Sequence, residues 1–329
     1  MSYIFVPLDK EHRIMNWLNT FNNDECVFMN PKENNDSMWK YACRVVKKYE
    51  AGKDIVIAWQ FIYGVYIYMA SRFYRKRVKI IALNFIEHSV GWKTKIKVLL
   101  YNRCFANKNF YTGINCIEYL KEYKKYYKIY DDRVLEMPDC NFRTDIQERS
   151  FDIGDGTIFC GGFIRDWKIF FNAAKLLPHL NFVAVIRNVE SIDKNEVPEN
   201  VRIYGPMPIA QFYVLLRQCS ISVIALPSSV PNGFTVMIQS AYLNRPIIAT
   251  DCVAVNKLLY NQKLNKWGGA TYKQGDAKDL ADKIEKLYAD IESRKAYCEV
   301  MLENVKERSA EAYSDRLLKF ADKIIADKS

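Results

Sequence analysis

The stretch LPSSVPNGFTVMIQSAYLNRPIIATD, residues 226–251, decides how the rest of the chain is read. It begins as the end of an apolar strand, passes through a polar loop with Pro231, Asn232 and Gly233, and continues as a helix from about residue 234 to 243. A turn at Asn244 and Arg245 then leads into an apolar strand over 246–250. A glycine-containing loop that opens directly into a helix leaves the first N–H groups of that helix without carbonyl partners, backed by the positive end of the helix dipole. Such an end suits a phosphate, and Asn232, Gly233, Phe234 and Thr235 are the residues that would line it. Gln239, just beyond the first turn, carries an amide that both donates and accepts, as sugar hydroxyls require. Thr250 and Asp251 end the next strand at the same sheet edge, where open α/β sheets bind their ligands.

Upstream of this stretch, the second half of the chain alternates strands and helices. Residues 157–160 (TIFC) form its first expected strand, followed by Gly161, Gly162, Phe163, Ile164, Arg165, Asp166, Trp167 and Lys168, and then a helix over 167–177. Asp166 suits an N-cap, and the two glycines let the chain turn tightly beside a ligand. Arg165 brings a guanidinium fork and Lys168 an ammonium to this second helix start, a pair able to neutralise a diphosphate. Strands over 182–186, 200–204 and 221–226 complete the expected parallel sheet, with a helix over 209–218 whose first turn holds Pro208. Residues 276–291, 293–307 and 309–326 read as closing helices.

The combination of loop, helix and strand at 226–251 with the Arg165–Lys168 segment resembles the donor-binding half of retaining GT-B glycosyltransferases of family 4. Within that family it is similar to a branch from bacterial polysaccharide synthesis that carries Gln where most members have the second of two glutamates. Here Gln239 holds that second place, and Pro231, or Asn232 with a one-residue slip, holds the first. The resemblance implies an α/β chain of the GT-B class: two Rossmann-like parallel-sheet domains facing each other across a cleft. It further implies a nucleotide-diphosphate sugar, UDP-type, as donor substrate, with no cofactor. The donor would pass its sugar, with retention, to a saccharide or lipid-linked acceptor. Arg165 and Lys168 would stabilise the departing diphosphate; Gly161, Gly162, Asn232, Gly233, Phe234, Thr235 and Gln239 would hold the donor. Tyr204, Gly205, Pro206 and Met207, after the 200–204 strand, would lie against its base. From the first half, His88 or Asn84 would reach the donor sugar. No Asp-x-Asp pair of the metal-holding kind is present, since Asp131 and Asp132 are adjacent, so the transfer is expected to need no metal. An active transferase and a catalytically silent nucleotide-sugar binder or accessory partner both fit the missing carboxylates; a sugar-nucleotide epimerase would want carboxylates and a histidine that are scarce here.

The first half also alternates. Strands are expected at 3–7, 26–29, 54–59, 78–83, 109–112 and 134–137, and helices at 11–21, 36–49, 61–73, 93–104 and 115–127. Strands alternating with helices argue a parallel sheet covered on both faces. No G-x-G-x-x-G follows any of these strands, which argues against a dinucleotide oxidoreductase. Periodicity lapses over 137–157, where Pro138, Gly154 and Gly156 fall among polar residues, so the domains are expected at 1–150 and 151–329.

Residues 1–150 hold 25 Lys and Arg against 17 Asp and Glu, leaving +8 of the net +10 in the first domain. Residues 91–104 (GWKTKIKVLLYNRC) set Lys93, Lys95, Lys97 and Arg103 around Ile96, Val98, Leu99 and Leu100, a pattern that suits an anionic membrane surface. Lysines and tyrosines over 118–130 could suit single-stranded nucleic acid, but no nucleic-acid motif accompanies them and none is expected as a partner. The apolar run 55–70, with its basic flank, imitates a membrane span but falls short of about 20 residues and is broken by Gln60 and Gly64. Nine scattered cysteines without a Cys-x-x-Cys pair read as buried thiols of a reducing compartment, and residues 1–10 read as a strand and not as a signal peptide. The expected location is cytoplasmic, peripheral at the inner face of the membrane.

Overall fold

The computed structural model describes residues 2–6, 26–29, 37–87, 92–141 and 149–326. The chain divides into two compact units, one made of residues 1–143 and 308–329 and the other of residues 144–307. The last helix, Ala310–Ala326, therefore belongs with the first unit and not with residues 151–307.

In the first unit, β1 (Ser2–Val6), β2 (Cys26–Phe28), β3 (Asp54–Ala58), β4 (Ile80–Ala82), β5 (Phe110–Ile114) and β6 (Val134–Glu136) form a sheet in the order β2-β1-β3-β4-β5-β6. Every neighbouring pair runs parallel. Alternate residues serve two cores, the reason these strands read as continuous apolar runs. Val56, Ala58, Ile80 and Ala82 pack beneath the helices Met38–Lys48, Phe61–Phe73 and Trp92–Ala106. Tyr3, Phe5, Ile55 and Ile57 face Ala310, Tyr313, Leu317 and Ala321 of the last helix. Each of the larger of these side chains contributes about 1.5–3 kcal/mol by burial.

The apolar run at 55–70 divides into β3 and the Phe61–Phe73 helix, and among the described residues no helix is long and apolar enough to cross a membrane. The helix expected at 115–127 is instead a 3-10 turn, Ile117–Tyr119, leading into a short helix, Leu120–Lys124; burial of both Tyr123 and Tyr127 goes with this broken course. The helix expected at 11–21 lies outside the described residues.

The second unit holds β7 (Thr157–Gly161), β8 (Asn181–Val185), β9 (Val201–Tyr204), β10 (Ile221–Ile224), β11 (Ile247–Thr250) and β14 (Ala270–Tyr272) in the order β14-β11-β10-β7-β8-β9, again parallel throughout. The chain builds outward from β7 to one side, then returns to place β10 on the other, so the direction of winding reverses between β7 and β10. Residues 252–275, to which the periodicity assigns nothing, supply the helix Val253–Leu259, the antiparallel pair β12 (Tyr260–Asn261) and β13 (Lys266–Trp267), and β14.

Where the first unit rejoins its last helix, Asn141 N donates to Arg308 O at 2.9 Å and Asn115 Nδ2 donates to Asp139 Oδ1 at 3.2 Å. Burial raises the Asp139 carboxyl to about 6, against the opposing pull of the Arg308 charge. Between the unfolded value near 3.9 and this raised one, the folded chain keeps a proton that the unfolded chain has released, so stability falls as pH climbs from about 4 to about 6. Asp139→Asn is expected to flatten that slope and to gain about 2 kcal/mol at pH 7, read as urea midpoints at pH 4.5 and 7; a variant with an unchanged slope rules Asp139 out as its source.

Candidate functional site

Because β7 and β10 are adjacent and parallel, the loops after them leave the same sheet edge side by side. Open α/β sheets bind ligands at such a reversal point. The loop after β7 carries Gly162 at φ 112° and Ile164 at φ 54°. A positive φ is foreign to a β-branched residue and costs on the order of 1–3 kcal/mol, a strain that concentrates at functional sites. Here it curls the chain around the Arg165 guanidinium: Nε donates to Gly161 O at 3.0 Å, and Nη1 to Phe163 O at 2.7 Å and Ile164 O at 3.1 Å.

Arg165 is 7% exposed. Burial lowers its pKa from the ordinary value, and the groups that act on it in the opposite sense are the Cys160 thiol and the Tyr272 phenol. Neither is an anion near neutral pH: burial pushes the Cys160 thiol up to about 11 despite the neighbouring Arg165 charge, and burial likewise raises the Tyr272 phenol. Among the described residues no carboxylate pairs with Arg165. A buried cation held only by carbonyl oxygens is electrostatically incomplete, and an anion would complete it.

The loop after β10 ends at Gly233, which has φ 82° and N-caps the helix Phe234–Tyr242. Asn232 Oδ1 accepts from Gly233 N at 2.7 Å, and Gly233 O accepts from Val236 N and Met237 N, both at 3.1 Å. The two glycines bracket the guanidinium. A Cβ on Gly162 would stand 2.7 Å from Arg165 Nη2, and a Cβ on Gly233 would stand 3.7 Å from Nη1 and only 2.7 Å from Ile224 Cγ2. Arg165 thus meets the start of the Phe234–Tyr242 helix. Gly162→Ala is expected to displace the guanidinium and weaken the binding of an anion such as pyrophosphate beside it about tenfold or more, since each 1.4 kcal/mol lost is a factor of ten; isothermal titration against the wild type measures it, and unchanged affinity would separate Gly162 from the site.

The other expected residues divide. Asp166 caps the Trp167–Leu176 helix by accepting from Ile169 N at 3.1 Å, and Lys168 stands exposed on its first turn. Tyr204 is half-buried at the end of β9 with the Arg202 guanidinium 5.1 Å from its ring, and Gly205, Pro206 and Met207 follow at the same sheet edge. Thr235 is half-buried, whereas the Phe234 ring is buried, leaving only its N–H for a ligand. Gly161 lies inside β7, and its lack of a side chain serves packing: a Cβ there would come within 2.7 Å of the Phe159 and Phe212 rings.

Three of the expected side chains are engaged within the fold. The Gln239 amide is 3% exposed, and its Nε2 donates to Tyr213 Oη at 2.8 Å on the Ile209–Gln218 helix, so it is not turned out toward sugar hydroxyls. The Thr250 hydroxyl is buried, accepting from Leu226 N at 2.8 Å and donating to Tyr272 Oη at 2.9 Å. Asn84 spends its amide on Trp59 O at 2.8 Å, and His88 lies outside the described residues.

Ile164, Phe163 and Arg187 escaped the sequence reading. Phe163 is exposed with the Arg187 guanidinium 5.2 Å from its ring, at the edge where β8 ends. Nothing in a sequence marks an isoleucine for a left-handed backbone; an aromatic beside a glycine pair was the available signal for Phe163.

In solved structures the chain is similar to Anabaena HepE in complex with UDP-glucose, with a TM-score of 0.74 and 13% identity, 98% of this chain and 100% of that one being covered. Sucrose-phosphate synthase from Thermosynechococcus elongatus is similar with a TM-score of 0.75 and 12% identity over 99% and 100% of the two chains. The apo form of the lipopolysaccharide outer core galactosyltransferase WaaB gives 0.63 and 13% over 98% and 99%. No protein-family model and no curated protein matches the chain in sequence. At these identities the likeness is one of fold: this is an α/β chain with the fold of the GT-B glycosyltransferases.

Proposed function

We propose that the protein is a glycosyltransferase whose second unit binds a nucleotide-diphosphate sugar, UDP-type, and whose first unit binds a saccharide or lipid-linked acceptor. The observation that carries this reading is Arg165: a buried guanidinium with no anionic partner among the described residues, set between Gly162 and Gly233 at a helix start. As the bond from the sugar to the diphosphate lengthens, negative charge grows on the leaving phosphate. Arg165, the exposed Lys168 and the N–H groups that open the Phe234–Tyr242 helix would meet that charge, which is electrostatic stabilisation without proton transfer. Retention of the anomeric configuration, independence of metal and a place in capsule or exopolysaccharide synthesis belong to the same reading, as does a cytoplasmic location at the inner membrane face. The Trp92–Ala106 helix, with Ile96 and Leu99 exposed beside Lys95 and Arg103, supports that last element.

A second reading, a silent nucleotide-sugar binder or accessory partner of an active transferase, is favoured by Pro231 being buried in the place of one carboxylate and Gln239 being turned to Tyr213. A thermal-shift panel of nucleoside diphosphates with and without chelator, followed by donor turnover with a panel of acceptors, tests both. Ligand at a hundred times its Kd stabilises by about 2.7 kcal/mol. A shift with turnover supports the transferase, a shift without turnover the silent binder, and no shift with any diphosphate overturns both.

A further inference from the structure

We propose that the outward side of the helices Met38–Lys48 and Phe61–Phe73 is a docking face for an anionic lipid bilayer, with Trp39 and Phe73 entering the headgroup region. The inner sides of these helices are accounted for: Tyr41, Ala42, Val45 and Val46 of the first, and Phe61, Val65, Ile67 and Ala70 of the second, lie in the core above the sheet. On the outer side, Ile62, Tyr66, Met69 and Phe73 recur at helical spacing and form a single stripe. Phe73 is 69% exposed, Ile62 38%, Trp39 37% and Met69 36%. The Trp39 and Phe73 rings meet edge to face with centroids 5.9 Å apart, and Phe73 meets Tyr74 at 5.2 Å. Large apolar side chains gathered in this way on a surface mark a place of interaction.

The charge around the stripe selects the partner. Neither helix contains an Asp or Glu, nor do residues 74–80 or the neighbouring helix Trp92–Ala106. Lys40, Lys47, Lys48, Arg72, Arg75 and Arg77 are exposed around it, and the Lys47 ammonium lies 5.7 Å from the Tyr74 ring. By contrast, the surface helices Ala277–Ala289 and Ile291–Val305 of the second unit mix both signs. A protein interface is depleted in lysine, whereas Trp, Phe and Tyr bordered by Lys and Arg is the composition of a surface that settles at an anionic lipid headgroup layer. Each basic residue held near such a surface adds attraction to the anionic headgroups, and a short apolar wedge supplies the remainder. This face is distinct from the Trp92–Ala106 helix and does not depend on the sugar-transfer reading.

Co-sedimentation of the full chain with vesicles tests the proposal. The wild type is expected to bind vesicles of phosphatidylcholine mixed with phosphatidylglycerol, to bind pure phosphatidylcholine weakly, and to be released by salt. The double variant Trp39→Ser/Phe73→Asp is expected to lose about tenfold or more in partition coefficient, a loss of about 1.4 kcal/mol, while keeping its melting temperature and its response to UDP. Ile96→Asp/Leu99→Asp, on the other helix, is expected to bind more tightly than that double variant. The proposal is overturned if the wild type ignores anionic vesicles, or if only the Ile96/Leu99 variant loses binding. It is also overturned if the Trp39/Phe73 variant converts a dimer to a monomer without changing vesicle binding, which would assign the face to a second copy of the chain. None of these readouts requires nucleotide or turnover, so failure here and failure of the transferase reading are distinguishable.

Discussion

Arg165→Ala is expected to lower donor turnover by about two to three orders of magnitude, the usual cost of removing one preorganised group that meets transition-state charge, and to abolish stabilisation by nucleoside diphosphate. The unliganded melting temperature should move little. Its hydrogen bonds to Gly161, Phe163 and Ile164 are lost, but so is the cost of holding a cation 7% exposed with no anion beside it. Arg165→Lys is expected to recover only part of the activity, since an ammonium keeps the charge but not the planar fork that spans three carbonyls and a ligand. Thermal shift with UDP and donor hydrolysis by both variants are the measurements. Full turnover in Arg165→Ala would reduce the guanidinium to a loop anchor and remove the main support for the transferase.

The largest effect on folding is expected from Gly154→Ala. Gly154 has φ 74°, and a Cβ there would fall 2.5 Å from Cys219 O and 2.8 Å from Ser220 Cα, both backbone atoms. Neither side can yield. Asp155 N donates to Gln218 O at 2.8 Å, Ser220 Oγ donates to Ile153 O at 2.6 Å and accepts from Gly156 N at 2.9 Å, and the buried Arg245 donates through Nη1 to Cys219 O at 2.9 Å. Adding the left-handed backbone cost to overpacking gives a loss of about 3 kcal/mol, a fall of roughly 6–12 °C in melting temperature for a domain of this size. Gly52→Ala is the control: its φ is 84°, but nothing lies within 4 Å of the added carbon, so only the backbone cost of about 1 kcal/mol remains. Equal shifts in the two variants would mean that the contact with Cys219 contributes nothing.

Much of this architecture was legible because it depends on local patterns. The runs at 54–59 and 157–160 became β3 and β7, the loop at Gly233 opened into its helix, and Asp166 capped the helix expected of it. What could not be read was where side chains point once packed. Gln239 sits where the sequence puts it, one turn into the helix, yet Tyr213 from another helix takes its amide. Thr250 ends its strand as expected, but its hydroxyl turns inward to Tyr272. The bend at Ile164 contradicts local preference outright, and such conflicts arise where a site overrides its own backbone. The 252–275 segment was missed because its strands are two or three residues long, too short for any period to show.

The division of the first unit between residues 1–143 and 308–329 has a bearing on synthesis. On the ribosome, Tyr3, Phe5, Ile55 and Ile57 emerge before the second unit, but the helix that covers them is translated only after the whole of that unit. A nascent chain therefore carries a bare greasy sheet while the second unit is being made, a natural client surface for a chaperone, and a stop codon just before Arg308 would strand it in that state.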